Sequence, residues 1–263
     1  MNTRDSKRTT RDKAAAAKAA ADADQRRRDN RIRLIGGLAV LVVVGAIFGG
    51  VYVSRSNTSA ANAPDANAAL PVGVDKDTFG VPYGSAGADK PQLQLWEDFQ
   101  CPGCARLEKD NGTGITALAD TGAMRLLWRP TTFLDAKLNN DASLRATAAW
   151  GCAIDAGKAK QYHSLVFANQ PAQEGAGYTD ALLLDLGKQA GISGAALTTF
   201  NSCVAARTYN KWTQNSYEMF NSEAVPGTPA GYLIYKDQKQ ELKSEVLSDP
   251  VKLAQAVKDI QTS

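Results

Sequence analysis

From Leu34 to Val53 the chain runs for twenty residues without a charge, LIGGLAVLVVVGAIFGGVYV, and this stretch decides where the rest can fold. Twenty residues at a rise of about 1.5 Å make a helix roughly 30 Å long, the thickness of a bilayer's hydrocarbon core. Arg26, Arg27, Arg28, Arg31 and Arg33 stand directly before it, and Arg55 alone follows closely. By the positive-inside rule the amino terminus stays in the cytoplasm and everything after the run is exported. A cleaved signal peptide is the alternative. The run is longer than the usual ~7–15-residue core of such a peptide, and the nearest small-x-small site, Ala61-Asn62-Ala63, lies well beyond it. The expectation is a single-pass helix at 34–53 that anchors an extracytoplasmic domain in the cell membrane. Gly45 and Gly49 form a GxxxG that helix pairing can use, though chance glycine in so Gly-rich a span explains it as well.

The charge distribution agrees. Residues 1–33 carry eleven Lys/Arg against five Asp/Glu, whereas residues 54–263 carry nineteen against twenty-two. The basic character belongs to the cytoplasmic tail, so the exported part offers nothing that points to nucleic acid. Residues 54–70, SRSNTSAANAPDANAAL, have the small polar composition of a flexible linker, and the folded unit is expected over 71–263. Four cysteines are too few to staple a chain of this length. The single histidine, His163, excludes His-rich zinc sites and disfavours a histidine triad; its place in a helical stretch reads as structural. Neither a metal nor a cofactor is expected.

Within 71–263, Gln92-Leu93-Gln94-Leu95-Trp96 alternates as a strand does, and Met124–Arg129 reads as a second strand. From about 138 to 222 the pattern is helical: Ala146, Ala149, Trp150 and Ala153 share one face, Leu182, Leu183, Leu186 and Ala190 another, and Leu197, Phe200, Cys203 and Val204 a third. Ala230–Tyr235, a turn at Lys236–Lys239 and Gln240–Val246 suggest a hairpin. Asp249-Pro250 caps a final helix whose apolar stripe is Leu253, Ala254, Val257 and Ile260. The order is β-α-β, a helical block, then β-β-α: an α/β fold with an inserted helical subdomain.

The chemistry concentrates at Cys101-Pro102-Gly103-Cys104. Thiol–disulfide exchange needs a thiolate, and an ordinary cysteine with pKa near ~8.5 is mostly protonated at neutral pH. A sulfur at a helix amino terminus is stabilised as an anion by unpaired amides and the helix dipole. Cys101 sits where strand gives way to helix, with Pro102 suited to the first turn; Cys104, one turn on, lies on the same side. Cys101 is therefore the expected attacking thiolate, and Cys104 the residue that resolves the mixed disulfide. The alternatives are half of a zinc knuckle, completed from Cys152, Cys203 and His163, or a purely structural 101–104 disulfide. In an exported domain, disulfides form and persist.

The stretch Leu95–Cys104, LWEDFQCPGC, resembles the active-site segment of DsbA-like thiol-disulfide oxidoreductases of the thioredoxin superfamily, in particular the membrane-anchored actinobacterial forms. Val225–Ala230, VPGTPA, is similar to that family's Val-x-Gly-Thr-Pro loop. The likeness spans about residues 75–262. It implies a thioredoxin fold with a helical insertion, a cis Thr228–Pro229 bond facing the CxxC, and a structural disulfide between Cys152 and Cys203. Read without the resemblance, Pro226 and Pro229 serve equally well as trans residues opening the hairpin, and Cys152 and Cys203 as buried free thiols. Asp98 matches the aspartate of the anchored relatives and Glu97 adjoins it; either is a candidate to relay the proton of Cys104, or simply a strand-end carboxylate in water. Two positions depart from the pattern. Gly103 stands where relatives often carry histidine, and Leu95 where they often carry a buried glutamate, which predicts a less depressed Cys101 pKa and a milder oxidant.

What the resemblance implies for function is disulfide formation in exported proteins, with reoxidation by a membrane quinone-linked oxidase of the DsbB or vitamin-K-epoxide-reductase type. A reductase or isomerase of envelope proteins is the same chemistry reversed, and a non-catalytic thioredoxin-like binding module is the reading from another class.

Overall fold

The computed structural model describes residues 64–173 and 175–262. The basic tail, the apolar run 34–53 and residues 54–63 of the expected linker lie outside the described residues; among the described residues no helix is long and apolar enough to cross a membrane.

Alternation builds the central strand. In β2 (Gln92–Glu97) Leu93, Leu95 and Glu97 fall on one face and Gln94 and Trp96 on the other. β2 pairs in parallel with β3 (Arg125–Pro130), which also pairs antiparallel with β1 (Val81–Tyr83). On its other side β2 pairs antiparallel with β4 (Ala230–Tyr235), and β4 with β5 (Gln238–Leu242). The strand order is β1-β3-β2-β4-β5, with β2 in the middle.

The crossover from β2 to β3 is one continuous helical run. It consists of α1 (Pro102–Leu107), a π-helical turn at Glu108–Gly112 and α2 (Thr113–Asp120), with right-handed helical backbone at both joints. Between β3 and β4 lie α3 (Phe133–Leu138), α4 (Ala142–Asp155), α5 (Ala159–Ala168), α6 (Asp180–Gln189), α7 (Gly194–Ala205) and α8 (Asn210–Ser222). A short α9 (Ser244–Leu247) and α10 (Pro250–Asp259) close the chain, and Asp249 caps α10 by accepting from the amides of Val251 and Lys252. Leu93, Leu95 and Trp128 share the principal core with Trp150 of α4, while Trp96, Phe220, Val225 and Ala230 form a second cluster.

Three expectations are corrected. The helical block begins at Phe133 rather than about 138, because α3 follows β3 after two residues. The second hairpin strand is Gln238–Leu242, not Gln240–Val246: a tight turn at Lys236–Asp237, with Lys236 at φ 52°, sets Tyr235 opposite Gln238. QKQEL is an edge strand buried only at Leu242, so no apolar pattern marks it, and Val246 belongs to α9. The chain is also attached before Pro71. Asp65 donates its amide to Asn215 Oδ1 (2.8 Å) and accepts from Asn215 Nδ2 (2.9 Å), and Leu70 rests on the core.

Candidate active site

β2 ends at Glu97, and four residues later Cys101 caps α1 in extended conformation (φ −75°, ψ 117°) with Pro102 as the first helical residue. The intervening turn is clamped by Asp98. Its Oδ1 accepts from the Gln100 amide (2.9 Å) and the Ser143 hydroxyl (2.5 Å), its Oδ2 from the Leu134 amide (3.1 Å), and its carbonyl from the Cys101 amide (2.9 Å). The segment between α5 and α6 adds a second hold. Gln170 Nε2 donates to the carbonyls of Phe99 (2.7 Å) and Cys101 (3.0 Å), and Tyr178 donates its hydroxyl to Phe99 (2.7 Å). Ser143, Gln170 and Tyr178 were not singled out by the sequence; they are distant in the chain and share no motif with the cysteines.

The two sulfurs are placed unequally. Both are free thiols; Cys101 keeps a 7% exposed edge, whereas Cys104 is fully buried. Cys101 Sγ donates to the Thr228 carbonyl at 3.2 Å, in the loop where Thr228–Pro229 is cis. Its pKa falls to about 6. The largest contribution is hydrogen bonding from the Cys104 thiol; burial opposes it, and the Thr228 side chain and the amides of Cys104 and Gly103 add to it. The amides at the start of α1 thus act in the same direction as the neighbouring thiol. The Thr228 hydroxyl is buried with no other partner. Cys104 moves the opposite way: burial, the neighbouring Cys101 and then Glu97 push its thiol well above the usual range. One sulfur ionises near neutral pH and the other holds its proton.

Gly103 closes the turn against the opposing loop. A Cβ built there meets Pro229 Cδ at 3.1 Å and Cys101 Sγ at 3.5 Å, so a side chain requires the proline ring to yield by a few tenths of an ångström.

The two acidic candidates are held differently. Asp98 is fully buried and already engaged by the donors of the turn, and burial raises its pKa to about 7. Glu97 lies on the same face of β2 as Leu95, so the buried acid that the resemblance places at 95 is matched here two residues nearer the sulfur. Its Oε2 meets His163 Nε2 at 3.0 Å, while its Oε1 is buried without a protein partner. Burial raises the Glu97 pKa against the pull of His163, and its charge raises the Cys104 pKa. His163, 2% exposed, is boxed by Phe99, Trp128, Trp150 and Phe167.

The other cysteines serve a different end. Cys152 in α4 and Cys203 in α7 are joined, with an S–S distance of 2.05 Å and Cα atoms 5.9 Å apart. That bond removes them from any zinc knuckle with Cys101 and Cys104.

A family model described as Thioredoxin matches residues 79–249, while no curated protein sequence matches the chain. Among solved structures, MdbA, a thiol-disulfide oxidoreductase from Actinomyces oris, superposes with a TM-score of 0.60 at 21% identity, over 72% of this chain and 88% of its own. Oxidised DsbA from Mycobacterium tuberculosis gives 0.55 at 24% identity, over 69% and 92%. Oxidised BdbD from Bacillus subtilis gives 0.58 at 18% identity, over 76% and 100%. At these identities the superpositions establish the fold.

Proposed function

The chain belongs to the thioredoxin family, and from that premise we propose that it is an extracytoplasmic thiol-disulfide oxidoreductase that forms disulfides in exported proteins through Cys101 and Cys104. The observation that carries the reading is the asymmetry of the pair. Cys101 keeps a small exposed edge and ionises near pH 6, while Cys104 is fully buried with a raised pKa.

The chemistry follows from that difference. With the 101–104 bond oxidised, a substrate thiolate attacks Cys101 Sγ; the bond to Cys104 breaks, and its electron pair leaves on Cys104 Sγ, which takes up a proton. A second substrate thiolate then attacks the substrate sulfur of the mixed disulfide and expels Cys101 as a thiolate. Two substrate thiols become one disulfide, and two electrons rest on the enzyme. A low Cys101 pKa favours its departure, since the more acidic thiol leaves faster. The proline at 229 has no N–H, which leaves backbone beside the sulfurs available to an extended substrate segment. Glu97, at the end of β2 with its Oε1 buried and unpartnered, is the group we assign to exchange the proton with Cys104, whose pKa its charge raises.

In the same proposal residues 34–53 anchor the domain with the amino terminus in the cytoplasm, and the following segment tethers it near its recycling partner, a membrane quinone-linked oxidase of the DsbB or vitamin-K-epoxide-reductase type. The tether raises the effective concentration of each for the other. The superposed proteins whose names describe thiol-disulfide oxidoreductases support the reading. The absence of a histidine beside Cys104 supports a potential less oxidising than ~−120 mV.

The test sets oxidation of a reduced two-cysteine peptide beside reduction of insulin, both with the full chain in detergent. Faster oxidation than reduction is expected. The opposite ranking supports a reductase or isomerase, and inactivity in both leaves a binding module.

A further inference from the structure

Glu97 is buried and its Oε1 has no protein partner, so a proton passing between it and Cys104 needs an outlet. We propose that His163 and Glu108 are that outlet: a positioning pair that carries protons between buried Glu97 and the groove beside the active-site helix. The inference rests on the oxidoreductase reading above and deepens it.

The geometry is a line of three groups from three elements. Glu97 of β2 meets His163 Nε2 at 3.0 Å, and His163 Nδ1 of α5 faces Glu108 Oε2 of the π turn at 4.0 Å. Nδ1 is buried and has no hydrogen-bond partner, and a swing of about 1 Å by the Glu108 carboxylate brings it within bonding distance. The other oxygen, Oε1, accepts from the Ser164 hydroxyl at 2.6 Å. Glu108 and Ser164 both line an open groove of about 740 Å³ that Arg106, Lys109 and Gln170 also border. The chain therefore has a wet end and a dry end.

The π turn makes the outer half possible. A Cβ on Gly112 would overlap the Glu108 carboxylate; glycine at that position lets the side chain fold back towards α5. π turns within α-helices recur at functional positions, and here one places Glu108, the one carboxylate besides Glu97 within 4.0 Å of His163 among the described residues. The remaining faces of the imidazole meet Phe99, Trp128, Trp150 and Phe167, and Arg129 lies on the opposite face of the sheet, over Trp96. Against the cost of burial, the two carboxylates raise the His163 pKa.

In the step where substrate opens the 101–104 bond, the proton that Cys104 takes comes from Glu97; Glu97 is refilled through Nε2 of His163, and His163 through Nδ1 from Glu108 and the groove. Reoxidation runs the same protons outwards. No electron moves along the line.

Because the chain has one histidine, its imidazole gives a single nuclear magnetic resonance signal in the full chain labelled at histidine. The proposal predicts that the His163 titration midpoint differs between the oxidised and reduced protein, and that E108Q and G112A each lower it. It further predicts that E108Q, G112A and H163Q slow opening of the disulfide by a reduced peptide roughly fivefold at pH 7, equivalent to about 1 kcal/mol, and shrink its solvent deuterium isotope effect. Glu108 lines the groove and E108Q keeps the size of the side chain, so it carries the test if H163Q or G112A does not fold. Wild-type rates and an unmoved His163 midpoint in both overturn the outlet while leaving the oxidoreductase standing. A wild-type chain that exchanges no disulfide at any pH overturns both.

Discussion

The chain contains two pairs of cysteines that environment has assigned to opposite ends. Cys152 and Cys203 are 51 residues apart, sit within two helices of the inserted subdomain and are bonded. Cys101 and Cys104 are three apart, sit at the start of a helix and are free. The first pair ties two packed helices together; the second has one sulfur on a residue that keeps a small exposed edge, held near ionisation by its neighbour, by the Thr228 side chain and by helix amides. Spacing alone would not separate them. The separation comes from which elements carry the sulfurs and from whether one of the two can reach a partner.

That contrast can be broken by exchanging consequences. C101S is expected to remove disulfide exchange by at least about 10³-fold, as loss of a covalent nucleophile does, and to leave the melting temperature close to that of the reduced wild type. The double variant C152A/C203A is expected to do the reverse. Opening a loop of ~52 residues costs about 2–4 kcal/mol of stability in the chain-entropy account, readable as a lower urea midpoint, with peptide oxidation retained. Loss of exchange in C152A/C203A under conditions where it remains folded would show that the two regions are not independent.

A finer difference lies in pH dependence. Asp98 clamps the turn before Cys101, and burial raises its pKa from 3.8 to about 7. A carboxyl whose native pKa is raised binds its proton more tightly when folded, so its contribution falls as pH rises from about 4 to about 7. Urea midpoints across that window should decline with pH in the wild type and flatten in D98N. The disulfide between Cys152 and Cys203 carries no titratable group and should show no such slope.

Much of the active-site region was legible in the sequence, and for physical reasons. The alternation of Gln92-Leu93-Gln94-Leu95-Trp96 and the proline after Cys101 announce a strand running into a helix. Asp249-Pro250 announced its helix equally well, because capping is local. The choice between Glu97 and Asp98 was not legible, since it depends on Ser143 and the Leu134 amide, which reach Asp98 through the tertiary fold, and on His163 some 66 residues away. The strand period does hold a clue: Glu97 shares its face with Leu95, so the buried-acid position two residues earlier has a counterpart on the same side. Strand β5 was misplaced because an exposed edge of QKQEL has no burial pattern to read. The π turn at Glu108–Gly112 leaves no periodic mark either, although a glycine one turn after a glutamate is what its geometry requires.

The central claim is that Cys101 is a thiolate at neutral pH while Cys104 is not. Ultraviolet absorbance at 240 nm, followed through a pH titration of the reduced full chain and of C101S, reads this directly. The account predicts one ionisation in the wild type with a midpoint near 6, absent from C101S. A midpoint near ~8.5, that of a free thiol in water, or a transition that survives in C101S, would contradict it.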